Sequence, residues 1–249
     1  MTTEILTPGF IRPDWPAPAN VHALTTLRSG GYSSGPYASF NLAAHTDDDP
    51  DAVHNNRRLL REYFRLPGEP VWLQQVHSNR IVTADAAASE SEADGSWTRA
   101  GATVCVVMTA DCLPVLICDR QGSRVAAAHA GWRGLHAGVI SQAVNTLKAD
   151  PADLMVWLGP AIGPQAFEVG EEVLQAFIDK DSRNSTGFRQ RDDRRWLCDL
   201  YELARIELSM LGITSIFGGN ECTFSDHRRF YSYRRDGKTG RMASLIWLE

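Results

Sequence analysis

The chain has 249 residues, 43% hydrophobic and 22% charged, with a formal net charge of −5 at pH 7. That balance fits an ordinary folded chain; there is no basic stripe for nucleic acid, and no run near the ~20 apolar residues that cross a bilayer. Met1 to Phe10 lacks the basic segment and apolar run of a secretory leader, so the expected location is the cytoplasm.

Taken in chain order, the first predicted element is a helix over Asp51 to Phe64, opened by Pro50, which suits a first helical turn. Strands follow at Val71 to Val76, Arg80 to Thr83, Thr103 to Met108, Leu113 to Asp119 and Arg124 to Ala128. Each is rich in branched or aromatic residues and bounded by Gly, Asp or Pro. Between them, Ala86 to Ala93 reads as a loop, and Arg120 to Ser123 as a hairpin turn. A helix over Leu135 to Leu147 carries Val139, Ile140, Ala143, Val144 and Leu147 on one stripe. Leu154 to Leu158 is a strand, Glu171 to Asp179 a helix, and Asp181 to Arg195 a polar surface excursion. The helix Leu200 to Leu211 has Asp199 as cap, Glu202 as its capping-box partner and Gly212 as its stop. Strands at Ile213 to Phe217 and Ala243 to Trp247 complete the chain. Without a regular βαβ alternation the pattern predicts an α+β fold. No linker or repeat divides it, so residues 1–249 are expected to form one domain.

Chemistry gathers where three apolar runs end: Gln74-Gln75-Val76-His77-Ser78, Thr109-Ala110-Asp111-Cys112-Leu113-Pro114 and Ala128-His129-Ala130-Gly131-Trp132-Arg133-Gly134. Strand ends are where a rigid scaffold presents functional side chains. Two imidazoles and a thiolate suit a tetrahedral zinc with its fourth position open. The separations of 35 and 17 residues match no local metal signature, so residues alone leave other readings open. Cys112 could be a nucleophile with His129 or His77 as base, or the three could be structural. The five cysteines are irregularly spaced and form no CxxC, which excludes a disulfide framework and a zinc knuckle. Arg28, in Arg28-Ser29-Gly30-Gly31, and His45, in Asn41 to Asp48, are candidate donors to a phosphate or ribose. Leu158 to Pro164 reads as a Gly/Pro-locked turn. Phe230 to Tyr233 could stack on a base or close the core.

QVHS at His77, TADCLP at Cys112, HAGWRG at His129, LGPAIGP with FEVG at Phe167 to Gly170, and YRRDGKTGR from Tyr233 to Arg241 together resemble the YfiH-like laccase-domain family. Its members are variously called polyphenol oxidase, purine nucleoside phosphorylase or peptidoglycan editing factor. The resemblance runs from about Pro13 to the C-terminus. It implies an α+β fold without Rossmann or TIM topology, and zinc held by His77, Cys112 and His129. It also implies phosphorolysis of adenosine, inosine and methylthioadenosine, with adenosine deamination besides. Arg28 and His45 match positions bordering the same pocket; Ala43 departs from a glycine frequent in close relatives. The small-molecule partners implied are a purine nucleoside and phosphate, with neither nucleic acid nor membrane, for a monomer or small homo-oligomer. A cytoplasmic hydrolase of misbuilt muropeptide nucleotides is the alternative. A multicopper oxidase is disfavoured: seven histidines without a His-x-His pair cannot build a three-copper cluster beside this site. Adventitious copper could still occupy the His₂Cys set.

Overall fold

The computed structural model describes residues 6–88 and 90–249. The readings of Met1 to Phe10 and Ala86 to Ala93 fall partly on residues 1–5 and Ser89, outside the described residues.

Two sheets stack face to face, because the central strands are apolar on both sides and must be covered on both. Along Val104–Thr109, Cys105 and Val107 point inward to meet Leu116 and Cys118 of Leu113–Asp119, Val125 and Ala127 of Val125–Ala130, and Ile246 of Met242–Leu248. The alternate residues Val104, Val106 and Met108 point outward, against Leu60 of the helix Pro50–Tyr63 and against Phe40 and Leu42. On the second sheet, Leu113, Val115 and Ile117 face Ile140 and Ala143 of the helix Val139–Leu147, and Leu203, Ala204 and Leu208 of the helix Leu200–Met210. The two-residue side-chain period of a strand thus gives a helix, sheet, sheet, helix stack with α+β topology.

The first sheet runs Phe10–Ile11, Val21–Thr26, Met242–Leu248, Val104–Thr109, Pro70–Val71; the last pair is parallel and the rest antiparallel. The second runs Ser215–Gly218, Leu154–Leu158, Leu113–Asp119, Val125–Ala130, Gly95–Thr98, Ile81–Thr83, parallel only at its two edges. The hairpin turn at Arg120 to Ser123 is present, tightened by the Asp119 carboxylate, which accepts from Ser123 N at 2.7 Å.

Four expectations about these elements are corrected. The strand expected over Val71 to Val76 stops at Val71. Beyond it the Gln75 amide replaces a strand backbone: Nε2 donates to Met108 O and Met108 N donates to Oε1, both at 2.8 Å. The main chain is then free to turn outward toward His77. The helix over Leu135 to Leu147 is two helices, Trp132–His136 and Val139–Leu147, because Gly138 sits between them at φ +83°. The stretch Asp181 to Arg195 holds a short 3-10 helix and the strand Phe188–Gln190, which pairs with Arg195–Cys198. At Leu200–Met210, Asp199 does cap, accepting from Tyr201 N and Glu202 N at 2.9 and 3.0 Å. The Glu202 carboxylate instead accepts from Thr186 Oγ1, so the capping box is half made.

Candidate metal centre

The three sequence-predicted donors converge. His77, Cys112 and His129 each offer an atom, and these atoms all lie within 4.8 Å of one another. Cys112 Sγ is 3.7 Å from His77 Nε2, and the two imidazole rings meet edge to face at 4.8 Å between centroids. Burial grades across the set: His77 is exposed, Cys112 half-buried and His129 only 4% exposed.

Each donor is held by its own device. His129 is the penultimate residue of the strand Val125–Ala130, and its backbone N–H donates to Asp94 O at 2.7 Å. Cys112 follows Asp111, which adopts φ +91°. The Asp111 carboxylate accepts from Thr223 Oγ1 on one oxygen and from Arg234 N on the other, both at 2.6 Å. His77 itself sits at φ +60°, stabilised by the fully buried Asp94 carboxylate, which accepts from His77 N at 2.9 Å and Ser78 N at 2.6 Å. Non-glycine residues in this region store strain, and such strain clusters at functional sites. Gly131 supplies the last requirement. A Cβ there would lie 2.7 Å from His77 Cδ2 and 2.9 Å from Cys112 Sγ.

The electrostatics favour the thiolate form in which Cys112 ligates a metal, beside a His129 of raised basicity. Burial works against a Cys112 thiolate, but the neighbouring His129 and hydrogen bonds from both imidazoles outweigh it and lower the thiol's pKa. Burial likewise opposes charge on His129, and Cys112 and Asp94 reverse the balance and raise its pKa. Asp94 stays below the usual carboxylate range because its bonds to His129 and Ser78 more than offset its desolvation. The donor types and their convergence fit a zinc ion.

Two pockets flank the His77 segment. One, of about 160 Å³, is lined by His77, Cys112, Trp132, Phe167, Tyr233 and Arg133 among others. Its walls are aromatic, and Tyr233 is 61% exposed. The second, of about 380 Å³, is more polar, with His45, Arg57, Trp72, Gln74, Gln75 and Glu90 on its walls. His45 is exposed at the rim, yet the pocket desolvates it and Arg241 and Arg57 add repulsion, so its basicity is lowered. Arg28 lines neither pocket. Its guanidinium donates to Ala38 O at 3.2 Å and His227 O at 3.0 Å, and lies over the Tyr231 ring. The Phe230 to Tyr233 cluster divides between its two readings: Phe230 and Tyr231 are fully buried, while Tyr233 faces the pocket. Leu158 to Pro164, expected to be a turn, is the end of the strand Leu154–Leu158 and irregular chain bridged at Ala161 to Cys222, and it delivers Ile162 to the pocket wall. Asp94 was missed by sequence reading; in Ala93-Asp94-Gly95 it looks like a turn aspartate.

An α+β protein of two stacked sheets, with a His₂Cys cluster at a strand-end pocket, is the class these features define. A family model described as multi-copper polyphenol oxidoreductase laccase matches residues 22–249. The chain belongs to this YfiH-like laccase-domain family. It is 54% identical over 242 residues to a purine nucleoside phosphorylase of Pseudomonas aeruginosa, covering 97% of this chain and 99% of that one. It is 51% identical to purine nucleoside phosphorylase YfiH of Escherichia coli K12, covering 96% and 98%. Among solved structures, Neisseria meningitidis protein NMB0706 superposes with a TM-score of 0.94 at 48% identity, covering 97% and 99%. YlmD from Geobacillus stearothermophilus gives 0.91 at 30% identity, covering 99% and 100%. No helix among the described residues is long and apolar enough to cross a membrane.

Proposed function

We propose that this chain is a zinc-dependent purine nucleoside phosphorylase, acting on adenosine, inosine and methylthioadenosine, with adenosine deaminase activity besides. The observation that carries this reading is the convergence of His77, Cys112 and His129 at the mouth of an aromatic pocket. Relatives named purine nucleoside phosphorylase over nearly their whole length support it.

Zinc held by the three donors would supply Lewis acidity beside the substrate. The protein's own residues do the binding. Trp132, Phe167 and Tyr233 offer flat apolar surface of the kind on which a purine stacks. The adjoining polar pocket gives an anion a cation at Arg57 and a neutral imidazole donor at His45. In phosphorolysis a phosphate oxygen bonds to C1′ of the ribose as the bond from C1′ to the base breaks. The electron pair leaves with the purine. Placing base and phosphate in neighbouring pockets lowers the entropic cost of bringing them together. Deamination requires only that water add at C6 and ammonia depart.

The test pairs metal content with turnover. Purified protein should carry about one zinc per chain and convert inosine to hypoxanthine and ribose 1-phosphate only when phosphate is present. Hydrolysis independent of phosphate would sink the phosphorylase reading. Cys112→Ser should lose zinc and activity together, because a serine hydroxyl is a far poorer ligand. A variant that keeps its zinc yet loses turnover would instead make Cys112 a nucleophile.

A further inference from the structure

We propose that Asp94 is a positioning residue for the metal centre, a single carboxylate that sets two of the three donors. The inference rests on the metal reading above. Asp94 is fully buried, immediately before the strand Gly95–Thr98 of the second sheet, where its Oδ1 accepts from His129 Nδ1 at 2.9 Å and from His77 N at 2.9 Å. Its Oδ2 accepts from Ser78 N at 2.6 Å, Ser78 Oγ at 2.7 Å and Val76 N at 3.3 Å. Five donors therefore meet one carboxylate, whose two oxygens have about four lone-pair sites.

The first consequence concerns the imidazole. The bond to Asp94 places the His129 proton on Nδ1, because a carboxylate only accepts. Nε2 is then left with its lone pair as the ring's ligand atom. Such outer partners fix both the tautomer and the ring orientation of metal-ligating histidines. The second consequence concerns the main chain. His77 occupies φ +60°, where an L residue is strained. Three successive amides, from Val76, His77 and Ser78, point at one buried anion and hold that turn. Successive amides converging on an anion form a recognised concave nest. Neither histidine is thus placed by its own strand or loop alone.

Asparagine cannot replace this group. It has one acceptor oxygen, and its NH₂ would face Ser78 or the His129 ring donor to donor. Asp94→Asn nevertheless keeps the shape and both backbone bonds of residue 94, to Arg80 O and from His129 N. It is therefore a selective probe.

The experiment titrates zinc-loaded wild type and Asp94→Asn against a competing chelator, with thermal unfolding followed in parallel. The expected result is a zinc dissociation constant raised about 10- to 100-fold in a variant that still unfolds cooperatively. Long-range proton–nitrogen correlation spectra of the zinc-loaded wild type supply a second readout. They should show the His129 proton on Nδ1 and the metal on Nε2, which decides the matter even if the variant does not fold. Metal on Nδ1, or a folded variant with the wild-type zinc constant, overturns the proposal while leaving the metal site standing. A wild type that binds no zinc overturns both.

Discussion

Gly131 measures how little room the three donors have. Its missing side chain is what lets the His77 ring and the Cys112 sulfur approach the chain, since a Cβ would come within 3 Å of both. Gly131→Ala is expected to weaken zinc binding by at least about tenfold, or ~1.4 kcal/mol, with little change in thermal stability. Unchanged zinc affinity in a chelator titration would show that the loop relaxes freely. Arg28 poses the opposite question. Its expected role in phosphate binding competes with its bonds to Ala38 O and His227 O and its stacking on Tyr231. Losing such bonds costs roughly 1–3 kcal/mol, so Arg28→Ala should lower the melting temperature. Steady-state kinetics at varied phosphate separate the roles: a rise in the phosphate KM alone, in a variant of wild-type stability, would return Arg28 to the substrate. At this scale His77, Cys112 and His129 were legible because each interrupts or ends an apolar run with a reactive group. Asp94 was not, because its partners lie 16 to 35 residues away and only folding reveals them.

Among the elements, strands made of continuous apolar runs, such as Leu113–Asp119 and Leu154–Leu158, were legible, whereas Val21–Thr26 and Gly95–Thr98, whose buried positions include Thr, Ser and Gly, were not. Edge pieces such as Phe10–Ile11 and Glu168–Gly170 are too short to carry a pattern. The helix stripe over Leu135 to Leu147 misled for a different reason. The stripe is real, and its residues are buried, but it begins at Val139, and the expected helix ran across a break that only Gly138 announces. That glycine is needed for its backbone and not for space: at φ +83°, a Cβ would meet nothing closer than 3.9 Å. Gly138→Ala should therefore cost about 1 kcal/mol of conformational strain. For a chain of this size that is a fall of roughly 2–4 °C in melting temperature. A variant as stable as wild type would mean that the two helices can fuse.

Of the cores in the stack, the one between the sheets and the one between the second sheet and its helices hold the buried cysteines. Cys105 and Cys118 are buried in the first, Cys198 in the second. Burial pushes the thiols of Cys105 and Cys118 up to about 12 and raises that of Cys198 as well. A neutral, inaccessible thiol does not attack a thiol reagent, so these three should be labelled only when the structure opens. Cys222, half-buried beside Gly163, is the expected reference for labelling in the native state. The second sheet contributes one face to each core: Leu116 and Cys118 to one, Val115 and Ile117 to the other. A strand shared in this way cannot leave one core without disrupting the other. We therefore expect Cys105, Cys118 and Cys198 to become reactive together across a denaturant series, at one midpoint, as one cooperative domain over residues 1–249 requires. Mass-spectrometric labelling that exposes Cys198 at a clearly lower denaturant concentration than Cys105 would divide the chain into two units. The metal centre would then move with the second sheet, since His129 and Cys112 both border its strands.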